Sequence, residues 1–220
     1  MKNIINKDRR MAMKHEWRKQ EKWYYIPKQK PELIEIPPFK FIQLKGEGNP
    51  NNDAFSEAIG VLYSLAYAIR MMPKNGFIPE GYEEYVVYPL EGVWDLKEEA
   101  RNQDTLDKDA LVYAIMIRQP EFVTEEVFQE ALRRVKQKKP HPLLDEVEFV
   151  TIEEGMCVQM MHVGSFDDEK YSFDLMKQYC EENQLNIRSQ VHREIYISDF
   201  RKTAPEKLKT VLRYRIRKEE

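Results

Sequence analysis

The chain has few of the residues that metal, disulfide and nucleotide sites require. Its 220 residues include two cysteines, four histidines and eight glycines. Cys157 and Cys180 form no C-x-x-C pair, and the sequence contains no H-x-H or H-E-x-x-H pattern, which predicts two structural thiols and no metal. The G-x-S-x-G, P-loop and G-x-G-x-x-G patterns are also missing. The sequence therefore carries no signature of those catalytic and nucleotide-binding classes.

Neither a strong positive charge nor a long apolar run is present. The formal net charge is -3, whereas proteins that bind nucleic acids normally need a basic surface. No apolar stretch approaches the length of a membrane helix. Residues 1–13 are polar and basic, unlike a secretory signal. We therefore predict a cytoplasmic protein that binds neither nucleic acids nor membranes, and we expect a monomer.

Hydrophobic periodicity divides the chain into two similar series of elements. Alternating residues predict strands, and apolar residues three and four apart predict helices. The predicted strands are 39–45, 85–94, 111–117, 156–163, 191–200 and 211–217, and the predicted helices run from Phe55 to before Pro73, after Thr124, and through Tyr171, Leu175 and Tyr179. The order strand, helix, strand, strand occurs twice, on either side of a linking helix. This order predicts a diverged duplication of a βαββ unit.

Two predicted elements also have clearly defined ends or faces. Thr124 caps the linking helix, which has acidic residues in its first turn and basic residues near its end, as the helix dipole favours. In the final strand, alternation places Leu212, Tyr214 and Ile216 inside and the arginines, beginning with Arg213, outside. The strand therefore predicts one buried face and one solvent face.

The two units predict an α+β fold. One βαββ unit is too small for a good core, so we expect both to share an antiparallel sheet in a pseudo-twofold arrangement. The helices lie on one side, and a ligand cleft lies between the repeats. Residues 1–24 form a charged N-terminal arm, and 25–220 form a single domain. In that domain, repeat one spans 25–120, the linking helix 121–145 and repeat two 146–220.

A glutamate and a tyrosine share one face of the predicted strand near the C-terminus. Side chains alternate along a strand, so Glu194 and Tyr196 lie opposite to Ile195. A buried carboxylate is costly without a partner, so either the fold pairs Glu194 or this face lines a wet cavity. Glu91 and Trp94 occupy the corresponding strand of the first repeat.

Several motifs resemble those of GyrI-like small-molecule-binding proteins. The matching segments are HREIYISD (192–199), TAPEKLKT (203–210), PELI (31–34), KGEGNP (45–50) and PLEGVW (89–94). The first two resemble the C-terminal signature of the family, and the others resemble its free-standing branch. The resemblance spans roughly residues 13–217. It implies a duplicated βαββ fold with a ligand cleft between the repeats.

The resemblance also implies a function. Members of the family hold flat, often cationic aromatic compounds against a buried glutamate. A subset of the free-standing branch hydrolyses strained cyclopropane rings in DNA-alkylating natural products, which detoxifies them without a cofactor. We therefore expect a binder of planar aromatic or cationic small molecules, with hydrolysis of electrophilic, cyclopropane-bearing xenobiotics left open. The alternatives are a non-catalytic sensor or sequestering protein, and an interaction protein resembling gyrase inhibitors.

Seven residues are candidates for the site. The candidate catalytic residues are Glu194 and Glu91, and the candidate ligand-binding residues are Tyr196, Trp94, Tyr63, Tyr67 and Tyr113. A glutamate would balance the charge of a cation or deprotonate a water, and the aromatic rings would hold the ligand. If both glutamates face one cleft, their like charges should raise at least one pKa. An ordinary aromatic core, and a solvent-exposed or arginine-paired glutamate, are the alternatives.

Overall fold

The computed structural model of the chain describes residues 14–101 and 105–218, so the first thirteen residues of the predicted arm lie outside the described residues. The helices are α1 (Trp17–Gln20), α2 (Lys22–Tyr25), α3 (Asp53–Met71), α4 (Glu125–Lys138) and α5 (Glu169–Glu182). The strands are β1 (Glu32–Ile36), β2 (Phe39–Glu47), β3 (Leu90–Leu96), β4 (Leu111–Gln119), β5 (Glu148–Ile152), β6 (Gly155–Val163), β7 (Leu185–Tyr196) and β8 (Lys209–Lys218). Within these described ranges, no helix is long and apolar enough to cross a membrane. The cytoplasmic location and the monomeric state stay predictions.

The eight strands of the described residues form one sheet in the order β1-β6-β8-β7-β3-β4-β2-β5. All neighbouring strands are antiparallel, which confirms the predicted α+β class with a shared antiparallel sheet. The two predicted units meet at three strand pairs, which are β1 with β6, β2 with β5 and, in the middle of the sheet, β3 with β7. At the junction of β3 and β7, Gly92 lies opposite Glu194, and Glu91 lies opposite Ile195. The duplication itself stays a prediction.

The helices α3 and α5 pack on the same face of the sheet, which we call the helix face. Phe55 of α3 contacts Trp94, and Phe173 of α5 contacts both His192 and Tyr214. Trp94 and His192 are cross-strand partners, so their side chains point to one face. The helix face therefore carries aromatic side chains from both halves of the sheet.

The long helix predicted in repeat one and the predicted linking helix are both confirmed. Helix α3 ends at Met71, shortly before Pro73, which cannot continue the hydrogen-bond pattern of a helix. At the start of α4, the Thr124 hydroxyl accepts a hydrogen bond from the Val127 amide at 3.4 Å. Such a cap satisfies one of the amides that a helix leaves free at its first turn.

The described part of the arm, together with Tyr25 at the end of α2, covers the opposite side of the sheet, which we call the reverse face. Arg118 donates a hydrogen bond to the buried Tyr25 hydroxyl at 3.1 Å, and Arg213 donates to the Tyr24 carbonyl oxygen at 3.0 Å. The prediction that Arg213 faces solvent is wrong because the arm buries this face, where Arg213 pairs with Glu154 at 3.0 Å. The short helices α1 and α2 belong to this arm, so the expectation of helices on one side holds for α3 and α5 but not for the arm.

Two predicted strands have the wrong boundaries. The strand predicted for 85–94 begins only at Leu90, because Tyr85 forms an isolated bridge with His15 of the arm instead of joining the sheet. The strand predicted for 191–200 is β7, which starts earlier and ends at Tyr196.

Helix α5 confirms the helix predicted through Tyr171, Leu175 and Tyr179, but it buries other positions. Tyr171 is 71% exposed. The buried positions of α5 are Glu169, Ser172, Met176 and Cys180. Both sets have helical spacing, so the spacing predicts the helix but not the face that is buried. The helix instead buries a glutamate in its first turn.

Candidate functional site

A cavity of about 750 Å³ lies on the helix face, over the junction of β3 and β7. This volume is typical of pockets that hold small molecules. The aromatic side chains along its wall include Phe55, Trp94, Phe166, Phe173, Phe200 and Tyr214. They come from α3, α5, the central strands and the loops beside them, so the wall forms only when these parts of the chain pack together.

Gly92 allows the Trp94 indole to lie back over β3. A Cβ added at Gly92 would lie 2.6 Å from Trp94 Nε1 and 3.1 Å from the Tyr196 hydroxyl oxygen. With glycine there, Trp94 Nε1 donates a hydrogen bond to the Tyr196 hydroxyl at 2.9 Å. The indole also packs against Phe55 and Tyr113, with ring centroids 5.7 and 5.2 Å away. The glycine thus permits a contact between the central strands.

Glu194 lies at the floor of the cavity and is 9% exposed. The Tyr196 hydroxyl donates to Glu194 Oε2 at 2.8 Å, and His192 Nε2 lies 3.1 Å from Oε1. Burial, together with the charge of Glu194, raises the pKa of Tyr196 well above its ordinary value. The phenol therefore stays protonated, and hydrogen bonds run from Trp94 through Tyr196 to Glu194.

Glu169 is a second carboxyl group in this cavity. It is 6% exposed. Burial is the main cause that raises the pKa of Glu169 well above its ordinary value, followed by the charge of Glu194 and a hydrogen bond with it. Two carboxyl groups can share a hydrogen bond only when one is protonated, so we assign the proton to Glu169. Its Oε1 atom has no hydrogen-bond partner among the described residues.

The sequence reasoning missed Glu169 because its position looks ordinary. Acidic residues are common in the first turn of a helix, where they complement the dipole, and Asp167 and Asp168 precede Glu169. Phe166 and Phe173 were missed as well, since nothing in the sequence places a loop phenylalanine and a helical one on the same cavity.

The family model of the GyrI-like small molecule binding domain matches residues 29–217 of the chain. The chain belongs to this GyrI-like family. Two solved structures from Listeria innocua support the assignment. They are a hydrolase, 39% identical with a TM-score of 0.84, and an uncharacterized conserved protein, 40% identical with a TM-score of 0.86. Both matches cover 93% of this chain and 100% of the other chain.

More distant comparisons add little to this GyrI-like assignment. The EcmrR C-terminal domain is 13% identical, with a TM-score of 0.51 over 86% of this chain and 98% of that one, and it shows a shared fold alone. No curated protein matches the chain significantly. The family assignment thus supports small-molecule binding, and the described cavity is the candidate place for it.

Glu91 lies on the reverse face of the GyrI-like sheet, so the two candidate catalytic glutamates do not face one cleft. Its carboxylate accepts a hydrogen bond from Arg193 at 2.8 Å. Burial raises the pKa of Glu91, although the charges of Arg193 and Arg213 oppose that rise. The predicted effect of like charges on a pKa does occur in the cavity, but the partner of Glu194 is Glu169.

The spacing of the residues explains why the two glutamates separate. Glu194 and Tyr196 are two positions apart and therefore share a face. Glu91 and Trp94 are three positions apart, so their side chains point to opposite faces of β3. Trp94 consequently joins the cavity and Glu91 does not.

The other three tyrosine candidates lie outside the lining of the cavity. Tyr113 supports the wall from behind, with its ring centroid 5.2 Å from that of Trp94 and 5.0 Å from that of Phe55. The ring centroids of Tyr63 and Tyr67 on α3 are 6.3 Å apart, and Tyr67 is 50% exposed. The described cavity wall includes none of the three tyrosines. Their direct contact with a ligand stays a prediction.

Three pairs of opposite charges lie at the mouth of the GyrI-like cavity, and Lys177 also lines it. These pairs are Arg101 with Asp95 at 2.7 Å, Lys108 with Asp167 at 3.4 Å, and Lys170 with Asp174 at 2.6 Å. All six side chains line the cavity. With Glu169 protonated, the carboxylate of Glu194 supplies the negative charge of the floor. In the part of the chain that the structure describes, no group of three or more histidine, cysteine or acidic residues could hold a metal ion.

Proposed function

We propose that this GyrI-like domain binds planar aromatic or cationic small molecules in the cavity over β3 and β7, and that it hydrolyses electrophilic, cyclopropane-bearing xenobiotics there. The observation that carries the proposal is an aromatic wall that ends on the buried carboxylate of Glu194. Aromatic faces attract planar rings and cations. Within the described residues, Glu194 is met by His192 and Tyr196 rather than by a lysine or arginine. Its charge is therefore available to a ligand.

The similarity to a hydrolase supports a reaction as well as binding. The Listeria innocua hydrolase is 39% identical to this chain, and the match covers 93% of this chain. A carboxylate that borders a cavity open to water and substrate can act as a general base. Glu194 has this arrangement, and Glu169 adds a protonated group next to it.

The proposed reaction needs one water and no cofactor. Glu194 takes a proton from the water while the water oxygen forms a bond to a carbon of the strained ring. The ring carbon–carbon bond breaks, and its electron pair moves to a conjugated carbonyl group of the substrate. The carbonyl oxygen then takes a proton, for which Glu169 is a source inside the cavity. Release of ring strain supplies the driving force.

Glu194→Gln tests the catalytic role. Glutamine keeps the size of the side chain but cannot act as a base, so we expect turnover of a cyclopropane conjugated to an aromatic ketone to fall about 100-fold or more. Binding of the neutral substrate should change little. The measurement is loss of substrate absorbance at catalytic protein concentrations. Glu181→Gln, at an exposed position of α5, is the matched control, and wild-type turnover in Glu194→Gln would rule out the role.

The same experiment separates the proposal from its alternatives. Saturable binding without any substrate loss would indicate a sensor or a sequestering protein. Inhibition of DNA supercoiling by gyrase, unchanged in Glu194→Gln, would indicate the interaction protein, because that activity would depend on the outer surface and not on the cavity.

A further inference from the structure

The floor of the cavity holds two carboxyl groups that are almost completely buried. Glu169 and Glu194 are 6% and 9% exposed, and both line the cavity. The protein encloses the Oε1 atom of Glu169, and Glu194 is the carboxyl group beside Glu169. Because both carboxyl groups border the cavity, a ligand there lies close to both of them.

The surroundings of Glu169 are mostly acidic or neutral. Strand β7 presents Glu194 and Tyr196 to it, and the turn before α5 places the charge of Asp167 nearby. His192 contacts Glu194 Oε1. The lysine and arginine partners of the rim acids lie at the mouth, and Lys108 pairs with Asp167 there. With these groups around it, the proton is the simplest counter-ion for Glu169 in the empty site.

We propose that Glu169 and Glu194 form one proton-exchanging site for organic cations, in which a positively charged ligand replaces the proton that the two carboxyl groups share. The inference rests on the proposed function, because it takes the same cavity as the binding site. Glu194 attracts the cation first. The positive charge then offsets the repulsion between two carboxylates, so Glu169 releases its proton to solvent.

The exchange distinguishes two classes of ligand. A neutral planar compound leaves the proton on Glu169, where it can serve the hydrolysis reaction. A cation expels that proton and gains a second carboxylate as its partner. Cations are therefore expected to bind tightly but to remove the acid that the reaction needs, which makes them inhibitors of turnover.

Proton release also fixes the sign of the pH dependence. In the empty cavity, burial and Glu194 hold the pKa of Glu169 high, and a bound cation lowers it. Below the pKa of the empty site, each unit of rising pH should strengthen cation binding about tenfold while one proton is released. Above that pKa no proton remains to be displaced, and the dependence ends. Neutral ligands should show no such dependence.

Isothermal titration calorimetry of the full chain measures the exchange directly. The probes are N-methylphenanthridinium, a permanent cation, and phenanthridine, its neutral counterpart of nearly the same shape at neutral pH. Titrations in buffers with different ionisation enthalpies give the number of protons released. We expect about one proton per site for the cation and none for the neutral compound.

Two variants sharpen the experiment. Glu169→Gln should abolish proton release but keep saturable binding of the cation, because Glu194 remains. Glu181→Gln removes an exposed carboxylate of the same helix and should leave the proton count unchanged. The wild-type proton count decides the question even if Glu169→Gln does not fold.

The outcomes separate this inference from the proposed function. Saturable cation binding without proton release, or release that persists in Glu169→Gln, overturns the inference and leaves the proposed function standing. If neither compound binds, the proposed function fails and the inference fails with it.

Discussion

One methyl group added at Gly92 should disturb both the sheet and the cavity. The new Cβ would lie 2.6 Å from Trp94 Nε1 and 3.1 Å from the Tyr196 hydroxyl oxygen. The indole cannot simply swing away, because it is packed against Phe55 and Tyr113. Either the indole or strand β3 must move, and the hydrogen bond between Trp94 and Tyr196 is then lost.

The size of the effect follows from these two losses. Overpacking a buried site costs about 1–3 kcal/mol, and loss of a hydrogen bond costs about 0.5–1.5 kcal/mol. We therefore expect Gly92→Ala to lower the free energy of unfolding by about 2–4 kcal/mol, measured by urea unfolding. Because Tyr196 holds Glu194, affinity for N-methylphenanthridinium should also fall about tenfold, which corresponds to about 1.4 kcal/mol.

Gly60→Ala is the matched control for this substitution. Gly60 is exposed on α3, and a Cβ added there meets no described atom within 4 Å. Alanine is favoured over glycine in a helix by about 1 kcal/mol, so this variant should be more stable and bind the cation normally. Equal unfolding free energies for Gly92→Ala and the wild type would refute the reasoning, since the close contacts would then have no cost.

Two further predictions concern the other buried glutamates. Glu91→Gln removes one of the two carboxylates that face Arg193, at 2.8 Å, while Glu154 stays 2.9 Å from it, and should cost about 1.5–3 kcal/mol in urea unfolding. Cation affinity should persist in the folded variant, because Glu91 lies on the reverse face; loss of binding by a fully folded Glu91→Gln protein would contradict that placement. Glu169 has a raised pKa, so its ionisation opposes folding as pH rises from the ordinary glutamate pKa to the raised one. Glutamine cannot ionise, so the melting temperature of Glu169→Gln should fall less than that of the wild type over that pH range. Parallel plots of melting temperature against pH for the two proteins would count against a shared proton.

Strand alternation correctly places Glu194 and Tyr196 on one face, and the same rule separates Glu91 from Trp94. Glu194 and Tyr196 share a face because they are two positions apart. The same rule places Glu91 and Trp94 on opposite faces, but the analogy between the two repeats concealed this difference. The parity of a spacing is therefore a stronger guide to a shared cavity than the presence of similar residue types.

Burial on the reverse face could not be predicted from one strand. Alternation correctly placed Arg213 opposite to its neighbours Leu212 and Tyr214. It could not show that residues of the arm, far away in the chain, cover that face and that Glu154 pairs with Arg213 there. A strand pattern separates two faces, whereas the solvent exposure of each face depends on what packs against it.

The sequence by itself determined the long helices, the α+β class, the family motifs and the shared face of Glu194 and Tyr196, because these depend on local spacing. Only the tertiary structure decided that α5 turns Glu169 toward Glu194 and that Gly92 admits the Trp94 indole. The proton assigned to Glu169 results from burial and from the nearness of a second carboxylate. Neither condition exists until distant parts of the chain have packed around the cavity.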